Sequence, residues 1–322
     1  MGGVVRKDDI SYARLGRTGY KVSRLGFGTV ELGMSYGLPR TDGFPKPLPD
    51  REAVSLLHES FEKGVNFVDT APGYGRAEEI VGLALSSWKG HAPVVATKVT
   101  CPSGENLADP ASLARFVERS VEQSRHLLDR DRLALLQVHN ATVEALESEP
   151  FSEVLQGLVE RGLVAFLGAS TYGPEAAHAA IENGWCASLQ IAYNVLDQNP
   201  AAELIREAAR RNIGVIARSV LLKGVLSAET GGLPEALRPL EPALATLGQS
   251  ASQEGESVVS TCVRFALSHP DVSTCILGID RPAYLHEDLE SWQRGPLPEA
   301  TIHRLRALHV GGHATDPRTW GF

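Results

Sequence analysis

Residues 66–75 read NFVDTAPGYG. An apolar run ends on an acid, Asp69. Pro72 and two glycines then turn the chain, and the turn carries one phenol, Tyr74. A short apolar run that stops on a charge is what a strand buried on both faces looks like as it leaves a sheet. The same kind of run recurs at residues 25–29, 94–99, 133–138, 164–168, 189–192, 214–217 and 274–277, and the first run spans 65–68. Each is short and dense in Val, Ile, Leu or Ala.

Helical patterns lie between these runs. Asp50 reads as the N-cap of a helix over 51–63 that Gly64 closes. Asp109-Pro110 opens a helix running to about Leu128. Pro174 opens another, closed by Gly184, and Arg281-Pro282 opens one that reaches about Trp292. Eight strands, each followed by a helix, imply parallel βαβ units. In a chain of 322 residues they predict an α/β fold, a (β/α)8 TIM barrel spanning 1–322 as one domain. The surplus is read as an N-terminal hairpin over 11–28 turning at Gly19, a long loop at 32–49, a loop with helical pieces at 227–250, and a C-terminal loop or tail beyond about residue 296. A doubly wound sheet is the weaker alternative, because no GxGxxG opens a helix after a strand.

Composition narrows the partners. Hydrophobic residues make up 43% and the net charge is −8, which argues against nucleic acid or an anionic membrane surface. No 18-residue apolar window suggests a membrane span. The opening MGGVVRKDDI lacks the apolar stretch of a signal peptide. Cys101, Cys186, Cys262 and Cys275 are scattered, without CxxC or zinc-like His spacing, so they read as reduced thiols in a cytoplasmic protein, and no metal site is expected.

In a barrel, chemistry gathers at the C-terminal strand ends. There the sequence offers Asp69 and Tyr74, Lys98 in VVATKV, His139 in LLQVHN, Ser170, Gln190, Arg218 and Ser219. Singly, each is also what a cap, a rim aromatic or a structural histidine looks like. Lys98 is the exception, since an ammonium inside a barrel strand needs an acid partner and Asp69 on the neighbouring strand is the natural one. Together the four make a proton-transfer device. Lys98 lowers the phenol's pKa from about 10, Asp69 holds Lys98 charged, and His139 aims a substrate oxygen at Tyr74. That set protonates a carbonyl while something else supplies hydride.

The chain resembles the aldo-keto reductase family. The resemblance rests on ARLGRTGYKVSRLGFGT, FVDTAPGYG with AEEIVG, the strand lysine, LLQVHN, LGAS, LQIAYN and ILGIDRPAYLHED, in order over nearly the whole chain. It implies a metal-free, NADP- or NAD-linked oxidoreductase acting on a carbonyl or sugar, with Asp69, Tyr74, Lys98 and His139 as catalytic tetrad. It also implies cofactor contacts at Gly28 and Thr29, at Asp69, Ser170 and Gln190 around the nicotinamide, and at Ser219 and Leu221 beside the pyrophosphate. Glu287 would meet the adenine, with Gly278, Asp280, Tyr284 and Asp288 along the same run.

Three residues depart from the family pattern. Thr171 stands where Asn often follows Ser170. Arg218 replaces an aromatic that stacks on the nicotinamide, and could reach an acidic substrate or a cofactor phosphate. Ile279 and Tyr284 occupy the usual 2′-phosphate clamp with Asp280 between them, an acid that would repel a phosphate and could accept from a free 2′-hydroxyl. The resemblance implies NADP as cofactor, and these residues lean toward NAD, the alternative. The substrate pocket is expected from Tyr36, residues 38–47, residues 101–106 and a tail in which Trp320 and Phe322 fold over the mouth. The family's channel-associated regulatory subunits offer a second function, cofactor binding with little turnover. The oligomeric state stays open.

Overall fold

The computed structural model describes residues 12–38, 43–104, 109–199, 201–227 and 233–320. The chain enters through a hairpin, β1 (Tyr12–Arg14) pairing antiparallel with β2 (Lys21–Ser23). Gly19 sits in its turn with a left-handed φ of 74°.

Eight strands follow: β3 (Leu25–Gly28), β4 (Phe67–Asp69), β5 (Val94–Thr100), β6 (Leu133–Ala141), β7 (Val164–Thr171), β8 (Ser188–Ala192), β9 (Gly214–Arg218) and β10 (Thr274–Gly278). All are parallel and close into a barrel in sequence order, β10 pairing with both β3 and β9. Every strand read from the sequence occurs. β6 and β7 run further than their apolar cores, because the polar residues at their ends still join the ladder.

Helices alternate with the strands and cover the barrel: α1 (Val30–Gly33), α2 (Asp50–Glu62), α3 (Ala77–Ser87), α4 (Pro110–Leu127), α5 (Val143–Glu147), α6 (Glu149–Glu160), α7 (Pro174–Glu182), α8 (Ala201–Arg210), α9 (Glu241–Gln253), α10 (Val258–Leu267), α11 (Pro282–Arg294) and α12 (Glu299–Arg306). Asp109 caps α4 by accepting from the Ala111 amide at 3.2 Å. Asp50 does not cap α2. It lies inside the first turn after Pro49, and its carboxylate is taken by Arg76 at 2.8 and 2.9 Å.

The helical piece expected within 227–250 is the 13-residue α9, which runs on to Gln253, and the tail holds more structure than the sequence reading expected. The tail beyond residue 296 forms α12, whose Thr301 and Leu305, four apart, face the interior. Among the described residues no helix is long and apolar enough to cross a membrane.

The core has two compartments. One lies between strands and helices. The other fills the barrel floor, where Phe67, Ala96, Leu135, Ile216 and Ile276 cluster with Leu15 and Val22 from the entering hairpin. Tyr20 meets Phe166 edge to face at 5.4 Å, so the hairpin plugs the floor. Side chains two apart on a strand share a face. One step up from this apolar layer the interior therefore presents Asp69, Lys98, Gln137, Arg218 and Gly278, and Ser170 and Gln190 join them from β7 and β8, a polar layer resting on an apolar floor.

Candidate active site

Lys98 is the centre of the polar layer. Its side chain is fully buried, and its Nζ donates to Asp69 Oδ2 at 2.6 Å, to the Thr70 carbonyl at 2.9 Å and to the Tyr74 hydroxyl at 3.2 Å. The three donors of an ammonium are thus all used. The other Asp69 oxygen accepts from Gln190 Nε2 at 2.7 Å and from Gln137 Nε2 at 3.2 Å. Gln137 escaped the sequence reading, although it stands two residues before His139 on the same strand face.

Tyr74 reaches this cluster from a loop held by close backbone approach. The Arg76 amide donates to the Gly33 carbonyl, and the Tyr74 carbonyl accepts from Ala77. A Cβ on Gly33 would collide with the Tyr74 carbonyl, and Gly75 takes a left-handed φ of 57° against Gly33. The two glycines let the loop lie flat on α1 and turn the phenol inward. The rings of Tyr74 and His139 stand nearly perpendicular, with centroids 5.7 Å apart.

Burial works against the Lys98 ammonium, but the Asp69 carboxylate and the phenol outweigh it and the net shift is upward. For Tyr74, burial is the strongest influence and raises the pKa. Lys98 pulls it down, Asp69 pushes it up again, and the phenol ends above its ordinary value. The expected lowering is therefore corrected in sign: Lys98 limits the rise without reversing it. Burial, followed by the charges of Lys98 and Arg218, holds His139 down to about 3. At neutral pH the cluster has a charged Lys98, a protonated Tyr74 and a neutral His139.

A neutral His139 has a measurable consequence. Its folded pKa is depressed from 6.5 to about 3. Protons therefore favour the unfolded chain, and this contribution to stability is lost as pH falls through that window. Turnover should show no histidine inflection between about pH 5 and 8. A break in the pH–rate profile near 6.5 that disappears in His139→Gln would contradict the assignment.

Tyr74 and His139 open onto a cavity of about 380 Å³ that also reaches Ser170, Gln190, Arg218 and Tyr284. A family model described as Aldo/keto reductase family matches residues 24–309. The chain belongs to this family. Similar proteins include an uncharacterized oxidoreductase, YqkF, of Bacillus subtilis, 24% identical over 91% of this chain and 95% of its own. L-galactose dehydrogenase of Arabidopsis thaliana is 25% identical over 87% of each chain. The holo form of the aldo-keto reductase AKR11C1 from Bacillus halodurans shares the fold, with a TM-score of 0.77 at 22% identity over 94% of this chain and 97% of that one. A thermostable aldo-keto reductase, Tm1743, in complex with the inhibitor epalrestat gives 0.72 at 26% identity over 92% and 99%. As an aldo-keto reductase the chain is an oxidoreductase of carbonyl–alcohol pairs.

Aldo-keto reductases use NAD(P)H in general, and the cavity wall carries polar groups that could hold it. Near Tyr74, the cavity-lining Ser170 donates its hydroxyl to Gln190 Oε1 at 2.9 Å, which leaves the oxygen able to accept. Between β3 and β10 the wall is glycine on both sides, Gly28 and Gly278, and a Cβ on Gly278 would strike the Glu31 carboxylate. Ser219, in a left-handed turn at φ 57°, and Leu221 lie on the same wall, as do Thr29, Glu287 and Asp288. Glu287 accepts from Ser257 at 2.6 Å. Asp288 is buried, which raises its pKa well above the ordinary value. These residues could hold a nicotinamide dinucleotide from Ser170 and Gln190 to Glu287.

Asp280 is placed differently. It is 5% exposed, stands outside the cavity wall, and has Arg281 Nε 3.6 Å from its carboxylate. Arg281 in turn lies 4.9 Å from the Tyr284 ring. Around the mouth, Tyr36, Leu38, Pro45, Pro317 and Arg318 contribute, and Cys101 does not. Trp320 is buried beside Lys223, whose Nζ is 5.8 Å from its ring. Residues 39–42, residues 105–108 (Asn106 among them) and Phe322 lie outside the described residues. Tyr172 and Arg318, absent from the sequence reading, carry no motif and reach the site only through the fold.

Proposed function

We propose that this aldo-keto reductase is NAD(P)-dependent and interconverts a small carbonyl compound or sugar with its alcohol, Tyr74 acting as general acid in reduction and general base in oxidation. The carrying observation is Lys98 Nζ, 2.6 Å from Asp69 and 3.2 Å from the Tyr74 hydroxyl, beneath the cavity that Tyr74 and His139 share. A bound nicotinamide supplies the hydride in reduction and accepts it in oxidation. The chain handles the proton. The neutral His139 ring donates a hydrogen bond to the substrate oxygen and fixes it by the phenol. Tyr74 gives up its proton to that oxygen, and the Lys98 ammonium stabilises the phenolate left behind. Asp69 keeps Lys98 charged, and Gln137 and Gln190 keep Asp69 in place.

NADP is proposed as cofactor with a weakened preference over NAD. Arg281, beside Tyr284, is a cation that a 2′-phosphate could meet, but Asp280 already stands beside it. The test is a panel of aldehydes, ketones and aldoses with each reduced cofactor, read as loss of nicotinamide absorbance, with both cofactors titrated by fluorescence quenching. Turnover with dissociation constants within about tenfold of each other is expected. A preference for NADPH of about a hundredfold would overturn the reading of Asp280, and absence of any nicotinamide binding would overturn the function itself.

A further inference from the structure

Arg218 ends β9 on the inner face, two residues above Ile216 of the barrel floor. Its guanidinium is held from three sides. Nη2 donates to the Thr171 carbonyl at 2.7 Å, Nη1 donates to Ser219 Oγ at 3.1 Å, and the group stacks on the Tyr172 ring at 3.9 Å. Arg318 lies 4.0 Å from the same ring, and Asp316 pairs with it at 2.6 Å. Arg218 has no such acid. Among the described residues no carboxylate lies within 4.0 Å of it, and its buried Nε has no hydrogen-bond partner. Asp197 and Asp316 are near enough to feel its charge but do not pair with it. The Nε is too deep for a ligand to reach, but a half-buried guanidinium that lines a cavity with no acid beside it favours an anion on its open side.

The position says which anion. Arg218 is on the wall that carries Tyr74 and His139, and its charge reaches both. It also borders a second cavity of about 340 Å³, which shares Tyr172, Pro317 and Arg318 with the first and has neither Glu287 nor Tyr284 in its wall. The guanidinium therefore has space beside it both in the cavity with the proton donor and in one that does not include the stretch proposed for the cofactor's adenosine. Planar, always-charged guanidinium groups match carboxylates through paired donors.

We propose that Arg218 binds a carboxylate on the substrate, so that the preferred substrates are oxo acids and aldehydo acids, with the corresponding hydroxy acids as their reduced partners. This rests on the carbonyl-reducing function proposed above and names the substrate class for the same site. In the reductive direction the carbonyl carbon takes the hydride given up by a bound reduced nicotinamide. The carbonyl oxygen takes the Tyr74 proton, which water restores. The carboxylate is unchanged and serves as the handle.

The test compares aldehydes matched except for the charge: succinic semialdehyde with butanal, and para-carboxybenzaldehyde with para-methylbenzaldehyde. Wild type is expected to favour at least one acid through a lower KM, by about ten- to a hundredfold. That advantage should shrink as salt is raised, while the neutral partner's KM stays level. In Arg218→Leu the acid-to-neutral ratio of kcat/KM should collapse toward one. Arg218→Lys, which keeps the charge without the fork, should retain part of it, and this guards against a folding defect in the leucine variant. Equal use of both members of both pairs by wild type would overturn this proposal while leaving carbonyl reduction intact. An Arg218→Leu variant that weakens cofactor binding and slows both members equally would place a cofactor phosphate on Arg218 and also overturn it. No turnover with any aldehyde would overturn the underlying function and this proposal together.

Discussion

Tyr74→Phe is expected to lower kcat for carbonyl reduction by about two to four orders of magnitude, the usual contribution of a positioned acid, while cofactor affinity stays near wild type. The substitution removes one oxygen. The ring keeps its packing against His139 at 5.7 Å, and Lys98 Nζ keeps its place 4.6 Å from the ring centroid. What is lost is the only hydroxyl that receives the Lys98 donor bond. Parallel measurement of turnover and of cofactor quenching separates this loss from damage to the binding cavity. A variant that turns over within about tenfold of wild type would remove Tyr74 from the proton path.

Lys98→Met is expected to be nearly as damaging to turnover and far more damaging to stability. The Asp69 carboxylate would remain buried with only the two amide donors of Gln137 and Gln190 against its charge. Removing one member of a buried ion pair costs about 3–5 kcal/mol, since the other is left uncompensated. Urea unfolding should show this loss. Adding Asp69→Asn to Lys98→Met should recover part of it, because no buried charge remains, while turnover stays low. If the single substitution unfolds at the wild-type midpoint, the pair is not the anchor described here.

The barrel was legible because its strands are mostly apolar on both faces and carry their charged residues toward their upper ends. Asp69, Lys98 and His139 could be read from that pattern, and Tyr74 from the turn that follows β4. Other features depend on registers that no local pattern encodes. Gln137 binds Asp69 only because β6 lies two strands from β4 with its side chain turned inward. Tyr172 lies between Arg218 and Arg318 because the segment after α12 returns to the mouth, and α12 itself shows only a weak amphipathic pattern with Thr301 and Leu305 inside. The direction of the Tyr74 shift was misread for a similar reason. A nearby ammonium is visible in the sequence, whereas the depth of burial that opposes it emerges only when the loop closes.

The central claim, that Tyr74 exchanges the proton under the control of the Asp69–Lys98 pair, is tested most directly by the pH dependence of kcat/KM for alcohol oxidation in wild type and Tyr74→Phe side by side. Oxidation needs the phenolate, and burial holds the phenol above its ordinary pKa. The wild-type rate should therefore climb with pH through the alkaline range, about tenfold per unit on the rising limb, and the residual rate of the variant should be flat. A rising limb of the same position and slope in Tyr74→Phe would show that another group carries the proton.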